Sequence, residues 1–120
     1  MYTILPLTED PWQTFNLDLN IDEETFHAKV DIRYLPAPDL WILSIWDNST
    51  GDLLVNQIPL ICSYVDLNDL LWPFRHKRGG KGVGSLFVLR NVEEPRTPDP
   101  AEKTLLDFQV LWGQTADDRQ

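Results

Sequence analysis

From Thr25 to Tyr34 the chain reads TFHAKVDIRY, with Phe26, Ala28, Val30, Ile32 and Tyr34 on one side and His27, Lys29, Asp31 and Arg33 on the other. A period of two is the mark of an extended strand with one packed and one wet face, because successive side chains of a pleated chain point to opposite sides. Such a strand has to find neighbours along its edges and a second layer over its dry face. The rest of the sequence supplies both.

Before it, QTFNLDLNI (residues 13–21) sets Phe15, Leu17, Leu19 and Ile21 against Asn16, Asp18 and Asn20, and the polar DEE that follows predicts a hairpin. After Pro36 and Pro38, LWILSIWD (residues 40–47) is apolar on both faces and reads as a buried strand. DNSTGD gathers residues that favour reversal, and LLVNQIPLI (residues 53–61) returns as a further strand with Pro59 at an edge or bend. In VDLNDLLWPF the spacing changes: Leu67, Leu70 and Leu71 stand at i, i+3 and i+4, so one short helical turn is expected, with Asp66 as its cap and Pro73 as its stop.

SLFVLRN (residues 85–91) is a strand. VEEPRTPDPAEK reads as an extended connection without a core of its own. In LLDFQVLW (residues 105–112), Leu106, Phe108, Val110 and Trp112 alternate with Leu105, Asp107, Gln109 and Leu111, which predicts a last strand with one buried face. These six strands imply an all-β, mostly antiparallel sandwich or rolled barrel. One domain over residues 1–112 and a flexible tail over 113–120 are expected from a length of 120 residues, since a single core commonly organises about 100–150.

Cys62 is the only cysteine, so no internal disulfide can form, and its neighbours Leu60 and Ile61 mark it as a packed thiol. The N-terminus lacks a basic region followed by a long apolar run, and no stretch approaches the ~20 apolar residues of a membrane span. A soluble protein made in the cytoplasm, with no membrane partner, is the expectation. Nineteen acidic against ten basic residues give a net charge of −9, which disfavours nucleic acid as a partner. The basic residues are concentrated in one loop, where Arg75, His76, Lys77, Arg78 and Lys81 form a candidate docking segment for an acidic protein surface.

The residues that could carry chemistry do not assemble into a constellation. His27 falls on the wet side of a strand and His76 in the basic loop, neither with a cysteine or acid at metal-ligand spacing, so no metal or cofactor is expected. GGKGVGS (residues 79–85) lacks the order of a phosphate-binding loop and leads into a strand instead of a helix N-terminus; it reads as a flexible connection. Acid pairs abound in so acidic a chain, but a glycosidase needs two facing carboxylates in a sugar-shaped cleft. The five tryptophans raise one alternative, a carbohydrate-binding β-sandwich, although Trp41, Trp46 and Trp112 lie in apolar strands where core packing is the default; Trp12 and Trp72 are less committed.

Taken in order, PLTEDPWQTFNLDL, LWILSIWDNSTGDLLVNQIPL, YVDLNDLLWPF, the glycine-rich segment before SLFVL, and PDPAEKTLLDFQVLW resemble the baseplate plug proteins of contractile-tailed bacteriophages, of the cyanophage type. The resemblance spans residues 4 to 112 and rests on the order of short motifs. It departs from the pattern at WPFRHKRGGKGVG, which is longer and more basic, and at Trp112-Gly113, where a tyrosine is expected. It implies a structural virion protein of the tail baseplate, without catalytic residues, that plugs or caps the central hub near the end of the tail tube. Other hub, tail tube and spike proteins would be its partners, and it would be a homo-oligomer around the tail axis. On this reading Leu67, Leu70, Leu71 and Trp72 cap an end of the β core, and the charged loop beyond them projects toward a neighbouring subunit.

Overall fold

The alternating segment lies at the centre of the architecture. In the computed structural model, which describes residues 2–21, 24–37, 39–62, 69–74 and 83–113, it forms most of β3 (Glu24–Leu35). β3 pairs antiparallel with β2 (Trp12–Ile21) through residues 24–33 on one side and with β4 (Leu40–Asp47) through residues 28–35 on the other. β5 (Leu53–Pro59) adds to β4 and completes a four-stranded sheet in the order β2-β3-β4-β5. A second, three-stranded sheet has β7 (Phe108–Gly113) in the middle, flanked by β6 (Ser85–Arg90) and β1 (Tyr2–Ile4). Every strand pair is antiparallel. The fold is a small all-β domain of two packed sheets.

The dry faces meet in one core. Phe26, Ala28, Val30 and Ile32 of β3 join Leu19 and Ile21 of β2 and Trp41, Leu43 and Ile45 of β4, against Leu86 and Val88 of β6 and Phe108, Val110 and Trp112 of β7. Full burial of each large apolar side chain contributes roughly 1.5–3 kcal/mol, so this shared layer dominates the stability of the pair of sheets. Phe26 and Trp112 meet edge-to-face across it, with ring centroids 5.7 Å apart. As its sequence predicts, β4 is also covered on its other face, where Ile42 and Ser44 are buried.

Sandwich and barrel meet at one corner. β5 ends at Pro59, Leu60 donates its amide to Trp41, and Cys62 forms a single parallel bridge with Val88 of β6. The chain therefore stitches the two sheets together along one side. Cys62 is buried there, as expected of a packed thiol.

Several boundaries differ from the sequence reading. The described residues form seven strands, not six; the additional one, β1, is three residues long and too short to show a period. Glu24, assigned to the hairpin connection, is the first residue of β3, leaving only residues 22–23 between the strands. The last strand starts at Phe108, because Leu105–Asp107 form a 3-10 turn. That turn rotates Leu105 into the core and leaves Leu106 exposed, the reverse of what a continuous strand required. Gly113, placed in the tail, is instead the buried end of β7, paired with Tyr2 and Ser85.

The proline-rich connection also departs from expectation, because it is packed. Trp41 Nε1 donates to the Ala101 carbonyl at 2.7 Å, Asp99 accepts the Cys62 amide at 2.8 Å, and Thr104 Oγ1 accepts the Ala101 amide at 2.9 Å. Arg96 closes the outer side, its Nε donating to Asp107 Oδ2 at 3.0 Å and its Nη2 to the Lys103 carbonyl at 2.6 Å. Bonding to that guanidinium holds the Asp107 carboxyl below its ordinary range. Prolines set the backbone angles without donating amides, and side chains from elsewhere satisfy the carbonyls that remain.

Candidate interface surfaces

The leucine-rich turn is held by a residue the sequence reading passed over. Asp69 Oδ1 accepts the amide of Leu71, two residues on, at 2.9 Å and the amide of Leu86 in β6 at 3.0 Å, while Leu70 donates its amide to the Leu86 carbonyl. A short acidic side chain that bonds the backbone just ahead of it nucleates a turn, and here the same oxygen also ties that turn to the sheet. The 3-10 helix follows at Trp72–Phe74 and contains Pro73, which was expected to end a turn and instead lies inside one. Pro73 is tolerated because early helical positions have no intrahelical partner for an amide.

Of the residues proposed to cap the core, Leu71 is fully buried and Leu70 is half-buried against the core, whereas Trp72 is 54% exposed. Leu67 and Asp66 lie outside the described residues. So do Arg75, His76, Lys77, Arg78 and Lys81. The chain enters that basic segment from Phe74, which packs on the core, and leaves it at Val83, which is fully buried.

The wet face of the four-stranded sheet carries a network that period alone could not disclose. Arg33 lies over the Trp12 ring at 4.1 Å, Trp12 Nε1 donates to Asp31 Oδ1 at 2.6 Å, and Arg33 Nη2 pairs with Asp31 Oδ2 at 3.2 Å. Further along β3, Lys29 Nζ sits 4.9 Å from the centre of the ring of Trp46, its partner on β4. His27 Nδ1 meets Asp18 Oδ1 at 2.7 Å. Exposed cation–π contacts of this kind contribute about 0.5–1 kcal/mol each, enough to orient the side chains but not to hold the sheet.

These contacts bear on the alternatives. Trp41 and Trp112 are in the core, their indole nitrogens donating to the carbonyls of Ala101 and Val83, so neither can form part of a sugar-stacking platform. Trp12 and Trp46 do share the outer face, each with a cation over its ring. An open depression beside the proline-rich segment is lined by two carboxylates, Asp39 and Asp99. Both are engaged in structural bonds: Asp39 Oδ1 accepts the Tyr34 hydroxyl and the Glu102 amide, and Asp99 Oδ1 accepts the Cys62 amide.

Asp39 also pins the turn between β3 and β4 with positive φ, 64°, a region where aspartate is better tolerated than most residues. Its bond to the Tyr34 hydroxyl, helped by partial desolvation and its negative charge, pushes the phenol up to about 12 from an ordinary 10.0. A raised folded-state pKa means that the contribution is complete below the ordinary value and is lost as pH rises through about 12. In an ultraviolet absorbance titration, one of the three tyrosines is expected to ionise near 12, and Asp39→Asn to bring it back toward 10. Three tyrosines titrating together near 10 in a chain still folded by circular dichroism would remove this bond.

A family model described as cyanophage baseplate Pam3 plug gp18 matches residues 1–115. The chain belongs to this baseplate plug family. A search of curated proteins returned no match. The match covers the seven strands described in this chain, β1 through β7, together with the stretches of sequence that hold the leucine turn, the basic segment and the proline-rich connection. Membership makes the protein a structural component of the phage tail baseplate. The motifs that pointed there from sequence have structural tasks in this fold: Trp41 lies in the core, Asp69 clamps the leucine turn, and Asp99 accepts the Cys62 amide ahead of the last strand.

Proposed function

We propose that this protein occupies the central hub of the baseplate near the end of the tail tube and closes the channel there before injection. The observation that carries the reading is the family match over residues 1–115. A stiff two-sheet body suits the task. A plug has to resist deformation while assembled and yet detach on contraction, which favours a rigid module with moderately polar contact surfaces over a deeply interlocked one. In that role the protein is a building block acting through its surfaces, without catalysis.

Its partners would be other hub, tail tube and spike proteins, in a symmetric arrangement about the tail axis. Arg75, His76, Lys77, Arg78 and Lys81 form the positive segment of an otherwise acidic chain, suited to steering it onto an acidic neighbour more than to tightening the contact. Leu67, Leu70, Leu71 and Trp72 close the adjacent end of the core in this proposal. A cryo-EM map of the intact tail tip tests the position: density for this fold on the axis at the tube end supports it, and density at the baseplate periphery refutes it.

The docking segment has a separate test. Changing Lys77, Arg78 and Lys81 together to Glu alters the charge of the segment by six units, and incorporation into baseplates is expected to fall by about tenfold or more. Unchanged incorporation, measured by mass spectrometry of purified particles, would remove the segment from the interface.

A further inference from the structure

The four outermost strands of the two sheets, β1, β2, β5 and β6, do not present alike edges. The edge of β5 is broken by two register shifts, a positive φ at Gln57 and Pro59. The outer side of β6 is occupied by Cys62, Asp69 and Leu70. β1 is three residues long. β2, in contrast, offers ten residues in unbroken register with β3, with no proline, glycine, lysine or bulge to discourage another strand. Natural sheets normally blunt an edge of this length with such devices.

Backbone geometry shows which groups this edge presents. Tyr34 donates its amide to the Pro11 carbonyl, so the hydrogen-bonded positions of the β2–β3 ladder are the odd residues of β2. The amides and carbonyls of Trp12, Thr14, Asn16, Asp18 and Asn20 therefore point away from β3. Among the described residues no strand pairs with them, and all five side chains are exposed.

We infer that β2 is a self-pairing edge, joining antiparallel to β2 of a second copy about a two-fold axis through Asn16. Four features favour that occupant. Only even residues can pair with even residues, which this register satisfies. It places half-buried Phe15 opposite Leu17 of the second copy, and Leu17 opposite Phe15, covering apolar surface that the core leaves partly open. Asn16 meets its own copy, where each side-chain amide, whose Oδ1 already accepts from Asn48 Nδ2 at 2.9 Å, still has its Nδ2 to donate. Asp18, the one charge along the edge, faces Thr14 and not another acid, which matters between two chains that each carry −9. The result is one continuous eight-stranded sheet with an isologous contact. The inference stands on this geometry and does not depend on the position of the protein in the baseplate.

Sedimentation and light scattering of the purified chain test it. A dimer is expected for the wild type. Asn16→Pro removes an amide that points outward and leaves the β2–β3 ladder whole, and Asn16→Lys sets two cations face to face; each is expected to weaken dimerisation at least about tenfold. Mixing Asn16→Lys with Asn16→Asp is expected to restore a heterodimer, which only contact between the same position on both copies produces. Should Asn16→Pro fail to fold by circular dichroism, the Lys and Asp variants, at an exposed position, decide alone. A wild-type chain that stays monomeric up to ~100 µM, an assembly that survives the substitutions in folded protein, or a mixture that does not re-associate overturns the inference.

Discussion

Gly84→Ala is expected to destabilise the protein by about 2–5 kcal/mol, a large share of the roughly 5–15 kcal/mol that holds a domain of this kind together. Two separate causes add. Gly84 has φ +82°, where a side chain is strained, and a Cβ there would stand 2.7 Å from the Gly113 carbonyl oxygen and 2.8 Å from Ile21 Cδ1. The oxygen belongs to a strand backbone and cannot swing aside, so β6 would have to move off β7 at the point where Trp112 donates to Val83. Gly51 is the internal control, since it has φ +79° but open space around its Cα. Gly51→Ala should therefore cost only the strain, about 1–2 kcal/mol. Urea unfolding of both variants separates the two contributions. Equal losses would show that the close approach at Gly84 is not there.

Trp41→Ala should cost about 3–5 kcal/mol, as expected for removing a fully buried indole. The more informative variant is Trp41→Phe. It keeps an aromatic ring against Tyr34 but removes the indole donor, leaving the Ala101 carbonyl only the longer bond from the Thr104 amide at 3.3 Å, at a cost of about 0.5–1.5 kcal/mol. Because that bond ties the proline-rich connection to the first sheet, amide exchange should rise across residues 97–104 in Trp41→Phe while the centre of β3 stays protected. Exchange rising uniformly over the chain, or not at all, would mean that the connection is held independently of this indole.

The surfaces were less legible than the core. A period of two says that His27, Lys29, Asp31 and Arg33 share a face, but not that Trp12 from the neighbouring strand lies beneath Arg33 and donates to Asp31. That contact depends on the register of β2 against β3, Trp12 opposite Arg33, which no single strand contains. Asp69 was hidden for a similar reason. Its first bond, to Leu71, is a local turn signal that could have been read from sequence, whereas its second, to Leu86, exists only because β6 returns beside the turn. The glycine-rich run, read as a flexible connection, ends in a glycine with a strict steric task at Gly84.

What the amino-acid order determined alone is the set of strands and their dry faces: Phe26 to Ile32, Trp41 to Ile45 and Phe108 to Trp112 are buried as their alternation or continuous apolarity demands. Burial of apolar surface is a local property of each side chain repeated along the strand, and it survives any choice of neighbours. The tertiary structure alone decided which edges were spent and which were left over. Among the described residues, Cys62 bridging Val88, the bulges of β5 and the brevity of β1 leave β2 as the long open edge, and hydrogen bonds between distant backbones, not side-chain pattern, determine that outcome.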